Sequence, residues 1–92
     1  MMRYVISYDI EDDMRRLRVA RVLDDYGDRV QRSVFEANLG AEHLAAILGR
    51  LRTLIDAEKD SVRIYPLCAA CVARVVKLGQ GKELDDRKAV IV

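Results

Sequence analysis

Apolar and polar residues alternate from Arg3 to Ile10. Tyr4, Ile6, Tyr8 and Ile10 fall on one side of an extended chain, and Val5, Ser7 and Asp9 fall on the other. A period of two predicts a strand with one apolar face and one mixed face. The period then changes. Val19, Val22, Leu23 and Tyr26 recur at helical spacing, which predicts a helix that Asp12 or Asp13 can cap. Gly27 is placed to stop that helix as a left-handed C-cap. The stretch RVQRSVFEANLG follows, with Val30, Val34 and Phe35 strand-like and Gly40 as its end. It reads either as one kinked strand or as a tight hairpin folded near Arg32 and Ser33. A second helix is predicted from Ala41 to about Lys59, its stripe formed by Leu44, Ile47, Leu48, Leu51, Leu54 and Ile55. SVRIYPLC reads as a further strand ended by Pro66. AACVARVVKLG reads as a helical turn followed by a strand, QGKELDDRK as a polar loop, and AVIV as a closing strand.

Two helices that each follow a strand, among roughly four strands, predict an α+β fold. Its form is a ferredoxin-like split βαβ sandwich with two helices on one face of an antiparallel sheet. The opposite sheet face stays open and invites association. The four apolar residues at the end of the sequence are an edge hazard if left unpaired. Adding them to the sheet edge of a second copy removes the hazard, so the expected state is a homodimer in which an extra C-terminal strand joins the partner subunit.

At 92 residues the chain is expected to be a single domain over 1–92, with a core of 1–79 and a C-terminal arm and swapped strand over 80–92. A hydrophobic content of 51% excludes a disordered tail. No apolar run approaches the ~20 residues of a membrane span, and the opening residues carry no cleavage-site pattern. Two cysteines in a CxxC spacing, without a secretion signal, point to a reducing cytosol and a cytoplasmic protein. Net charge is +1, so global electrostatics do not announce a nucleic-acid binder. The bases are nevertheless twelve arginines against four lysines, and arginine is the side chain that forks onto phosphate.

The chemistry concentrates where the first strand ends. Asp9 lies on the mixed face beside Glu11, Asp12 and Asp13. An Asp in such a place often caps or turns. The alternative is a metal ligand, since magnesium keeps most of its waters and needs only one or two carboxylates. Arg15, Arg16 and Arg18 occupy the first turns of the helix, where cations oppose the helix dipole. Pairing of Glu11 and Asp12 with Arg15 and Arg16 at i,i+4 would cancel that cost. Arg15 lies on the arc of Val19, Val22 and Tyr26 and reads as structural, whereas Arg16 and Arg18 point off it toward solvent or a ligand. Arg29, Arg32 and Arg63 either extend a basic track or are edge charges. His43 reads as a surface residue, and Cys68 and Cys71 as two small buried residues in preference to half of a zinc site shared by a dimer or a redox pair, for which no thioredoxin-type context is visible. Neither a glycine-rich phosphate loop nor a Ser-His-Asp set can be assembled.

YVISYDIEDDMRRLRVARVLDDYGDRVQRSVFEANL resembles the N-terminal half of the small CRISPR-associated adaptation proteins, the "Cas two" family. The match rests on Tyr8-Asp9-Ile10 at the strand end, the arginine-bearing helix ending in Tyr26-Gly27, and Arg29-Val30-Gln31 followed by Ser33-Val34-Phe35. IYPLCAAC and Leu78-Gly79 are similar to later family segments. The resemblance implies a ferredoxin-like homodimer whose Asp9 binds Mg2+ shared across the dimer two-fold. It implies metal-dependent endonuclease activity on RNA or double-stranded DNA. It also implies a scaffold role in spacer integration, bridging CRISPR integrase dimers and holding nucleic-acid backbone, with no membrane involved. The residues so implicated are Asp9 as catalytic metal ligand, and Arg16, Arg18, Arg29 and Phe35 as the nucleic-acid-binding set. The alternatives are a catalytically inactive DNA-binding scaffold and a toxin-like ribonuclease of related fold outside CRISPR.

Overall fold

The structure is a computed structural model, and it describes residues 1–80. Strand β1 (Met2–Asp9) leads into helix α1 (Asp13–Asp24). Strands β2 (Asp28–Gln31) and β3 (Val34–Leu39) follow, then helix α2 (Ala41–Leu54), strand β4 (Ser61–Leu67) and the short helix α3 (Ala69–Ala73). The sheet order is β2-β3-β1-β4, with every neighbouring pair antiparallel. This is the ferredoxin-like α+β arrangement that the alternation of strands and helices predicts.

The period-two pattern of β1 sets the two faces. Ile6 and Tyr8, with Ile10 just beyond the strand, are buried together with Phe35, Ala37 and Leu39 of β3. Val19, Ala20, Val22 and Leu23 of α1, with Ile47 and Leu51 of α2, close over them. Val62 and Ile64 of β4 pack at the edge of this core. Burying a side chain such as Leu23 or Ile47 stabilises by about 1.5–3 kcal/mol, so the two helix stripes fix which sheet face is covered. The other face carries Arg3, Val5, Ser7 and Asp9 of β1 and, opposite them across β4, Leu67, Tyr65, Arg63 and Ser61.

The RVQRSVFEANLG stretch is a hairpin. Arg32 and Ser33 form the turn, and the register of β2 against β3 shifts between Arg29 and Gln31. Three boundaries depart from the expectation. First, α1 ends at Asp24, and Gly27 does not adopt the left-handed conformation: among the described residues only Gly79 has a positive φ, 73°. Gly27 is needed for close approach. A Cβ there would lie 2.3 Å from the carbonyl oxygen of Glu36 and 2.7 Å from Cβ of Ala37. Second, α2 stops at Leu54, short of Lys59. Asp56 draws the chain into a turn instead: its Oδ1 accepts from the Glu58 N–H at 3.0 Å and its carbonyl from the Asp60 N–H at 2.7 Å. Third, Pro66 does not end β4 but lies inside it, facing Tyr4 of β1. β4 is an edge strand, where a residue without an N–H is tolerated.

After α3, residues 75–80 form no strand. The closing AVIV strand, most of the C-terminal arm and the expected exchange with a partner lie outside the described residues. Among the described residues, no helix is long and apolar enough to cross a membrane.

Candidate nucleic-acid interface at the tip of β1

Asp9 is the last residue of β1, exposed, and opposite Ser61 of β4. Strand alternation turns it away from Tyr8 and Ile10, which enter the core. The chain must then bend into α1. Asp12 is the N-cap, its Oδ2 accepting from the Arg15 N–H at 2.8 Å. Arg16 reaches back over the bend: Nη1 donates to the carbonyls of Ile10 at 3.0 Å and Glu11 at 3.2 Å, and Nη2 donates to the carboxylate of Asp13. Arg15 pairs loosely with Asp12 and closely with Asp60. The acid–arginine pairs within α1 therefore run i,i+3, and not the i,i+4 that the sequence suggests.

These pairings sort the acids. Asp12, Asp13 and Asp60 are engaged by arginines. The carboxylate of Asp9 has no hydrogen bond or ion pair with any described residue. The Tyr8 N–H donates to the carbonyl of Ser33 at 3.1 Å, which sets the β2–β3 turn, and with it exposed Arg32, beside the same strand end. The tip thus combines an unengaged carboxylate, the Arg16-braced loop and the Arg32 turn.

The other sequence candidates are placed differently. Arg18 is exposed on α1 and has no ion pair among the described residues. Exposed Arg21 lies one turn further along α1 and extends the same charged side; its i,i+3 spacing from Arg18 is the sequence signal that marks it. Arg29 lies on β2, two strands from β1, with its guanidinium carbon 5.3 Å from the centroid of the Phe35 ring. Phe35 itself is 0% exposed. Its expected place in a contact surface is corrected to a core position that supports Arg29 through a cation–π contact. On the open face, Arg63 Nη1 donates to the Tyr65 hydroxyl at 3.4 Å, and Tyr65 is a half-exposed aromatic that no periodicity in the sequence singles out.

Among the described residues, no group of three or more His, Cys, Asp or Glu side chains could hold a metal ion. Two carboxylates at the tip make no hydrogen bond or ion pair with a described residue, Asp9 at the strand end and Glu11 in the bend, and of these Asp9 lies on the open sheet face. This suits magnesium, which retains waters and takes one or two carboxylates, and is too few for zinc, which takes four ligands. The exposed Asp9 carboxylate fits one ligand position of a hydrated magnesium ion, and one chain supplies too few carboxylates to enclose it.

The fold and tip together define a ferredoxin-like protein with an acidic strand end bordered by arginines. The profile of CRISPR associated protein Cas2 matches residues 2–75, and the chain belongs to this family. It is 52% identical over 79 residues to CRISPR-associated endoribonuclease Cas2 4 of Rhodospirillum rubrum, covering 86% of this chain and 64% of that relative. It is 45% identical to CRISPR-associated endoribonuclease Cas2 3 of Synechocystis sp. over 92 residues, the whole of both chains. The crystal structure of Streptococcus pyogenes Cas2 at pH 6.5 superposes with a TM-score of 0.77 at 36% identity, covering 85% of this chain and 100% of that one. A chain of a partial Cas6-RT-Cas1–Cas2 complex superposes with a TM-score of 0.61 at 26% identity, covering 85% of this chain and 91% of that one.

Proposed function

We propose that this chain is a homodimeric CRISPR adaptation protein of the cytoplasm that holds nucleic-acid backbone in the spacer-integration complex and cleaves phosphodiester bonds of RNA or duplex DNA with magnesium. The observation that carries the reading is the Asp9 carboxylate, exposed and unengaged at the end of β1 while Asp12, Asp13 and Asp60 are held by arginines. Relatives named as endoribonucleases support the activity, and the likeness to a chain of a Cas1–Cas2 complex supports assembly with CRISPR integrase dimers. Family membership favours this reading over a toxin-like ribonuclease outside CRISPR.

In this reading Asp9 and its copy in a second subunit would hold Mg2+ between them. Magnesium bound there supplies Lewis-acid polarisation of a phosphate oxygen and a coordinated water of lowered pKa. Arg16 fixes the loop that presents Asp9 and leaves part of its guanidinium to solvent. Arg18 holds backbone phosphate by charge and fork geometry, and Arg29 does so from a seat on Phe35. Phosphate contacts carry no base sequence, so cleavage and binding have weak sequence preference.

The test is Asp9→Ala, assayed on RNA and on duplex DNA with magnesium and with a chelator. Loss of cleavage by the variant at unchanged thermal stability supports the reading, as does loss of wild-type cleavage with chelator. Cleavage that survives both changes overturns the metal role. If spacer acquisition persists in the variant while cleavage disappears, the scaffold role is independent of the metal.

A further inference from the structure

β4 ends at Leu67, and the chain turns at once into α3. Cys68 is the N-cap, with extended backbone at φ −70° and ψ 167°, and Cys71 is the third helical residue. The Val72 N–H donates to the Cys68 carbonyl at 2.9 Å, so a full turn is formed between the two cysteines. That turn brings the sulfurs onto one side, with Sγ of Cys68 and Sγ of Cys71 3.4 Å apart in a thiol hydrogen bond. Both thiols are free and both residues are exposed. The expectation of two small buried residues is therefore wrong for this site. Neither side chain packs in the core, and the pair has no part in the tip of β1.

We propose that Cys68 and Cys71 are a redox-active dithiol that closes into an intrachain disulfide by exchange with a low-molecular-weight disulfide. The bond needs a sulfur separation of about 2.05 Å, and closing from van der Waals contact across one helical turn displaces no buried group. The two thiols are also unlike. Hydrogen bonding with the Cys71 N–H and thiol holds the Cys68 thiol below its ordinary pKa, while the hydrogen bond shared with Cys68 pushes the Cys71 thiol up. The thiolate is the attacking species in such exchange, which assigns the roles. The Cys68 thiolate attacks one sulfur of oxidised glutathione, forming a mixed disulfide and releasing one glutathione thiolate. Cys71 then loses its proton and attacks the Cys68 sulfur, releasing the second glutathione. The protein dithiol is oxidised by two electrons, and one glutathione disulfide is reduced to two thiols.

The experiment uses the full chain in excess oxidised glutathione, quenched with iodoacetamide and read by intact mass and non-reducing electrophoresis. The expected product is a single chain two hydrogens lighter, with both alkylation sites lost and both restored by dithiothreitol. Cys71→Ser is expected to trap one glutathione on Cys68, and Cys68→Ser to take it up more slowly. Full alkylation of both cysteines after oxidant treatment overturns the proposal, as does bridging only between chains. Uptake by Cys68→Ser that matches or exceeds that of Cys71→Ser overturns the assigned order of attack. Circular dichroism of each variant confirms that the chain is folded in every arm.

Discussion

Arg15 on α1 grips Asp60, 45 residues further along, with two parallel bonds: Nε to Oδ2 at 2.7 Å and Nη2 to Oδ1 at 3.0 Å. The Asp60 side chain is 0% exposed, and its Oδ2 also accepts from the Asp56 N–H at 2.8 Å. One carboxylate therefore ties the first helix to the turn that launches β4. Removing either partner strands the other, which costs more than the pair contributes as a whole.

This pair makes stability pH-dependent. The Arg15 guanidinium, followed by the Asp56 N–H, holds the Asp60 carboxyl below its ordinary pKa. Between the folded and unfolded pKa values the unfolded chain binds more protons, so stability rises with pH in that window. Asp60→Asn is expected to melt below the wild type at neutral pH. The gap should hold down to about pH 4, the ordinary carboxylate value, and close below it as Asp60 protonates. Thermal melts of both proteins across that range check it, and a gap that stays constant into strong acid would contradict the linkage.

Two glycines separate close approach from permissive geometry. Gly27→Ala forces a methyl group against the Glu36 carbonyl and Ala37. The expected loss is about 1–3 kcal/mol, as for overpacking. Gly40→Ala meets nothing within 4 Å at φ −82°, but Gly40 is the N-cap of α2, where Ala is disfavoured, so the unfolded-chain gain is offset and the change is expected to stay within about 1 kcal/mol of zero. Urea denaturation of the two variants measures the difference.

The arginines are distinguishable by salt. Removing one cation that neutralises a phosphate should reduce the slope of log K against log salt by about 0.9 on duplex DNA. Arg18→Ala is expected to flatten the slope with no change in melting temperature. Arg16→Ala is expected to lower stability as well, because it also releases the carbonyls of Ile10 and Glu11. An Arg18→Ala slope equal to that of the wild type removes Arg18 from the interface.

Phe35→Ala is expected to destabilise by about 3–5 kcal/mol, the range for a buried aromatic. Phe35→Leu is milder, preserves folding, and weakens binding only by taking away the aromatic seat of Arg29. Binding by Phe35→Leu that falls no further than by Arg29→Ala would agree with an indirect role.

Features governed by local periodicity are legible without the fold. The two faces of β1, the stripe Val19–Val22–Leu23 and the first three turns of α2 all rest on one spacing repeated within one element. Features that depend on a distant partner are not. Gly27 looks like a helix stop until Ala37 is seen packed against it. Pro66 looks like a strand breaker until β4 proves to be an edge. Phe35 follows an exposed-looking Arg32-Ser33-Val34, yet pairs across β1 with Ile6 and disappears into the core. The Asp9 tip is legible as a cluster of acids and arginines in sequence. Which acids the arginines take is not, because Asp60 reaches Arg15 from 45 residues along the chain.

The sheet order has a consequence for synthesis. β1 occupies an interior position, flanked by β3 and β4, which leave the ribosome well after it. A nascent chain that has reached the end of α2 still has one side of β1 unpaired, and its backbone amides there await residues 61–67. Closure of the sheet thus waits for β4 to emerge, and a truncation before Ser61 is expected to leave an aggregation-prone fragment instead of a smaller folded domain.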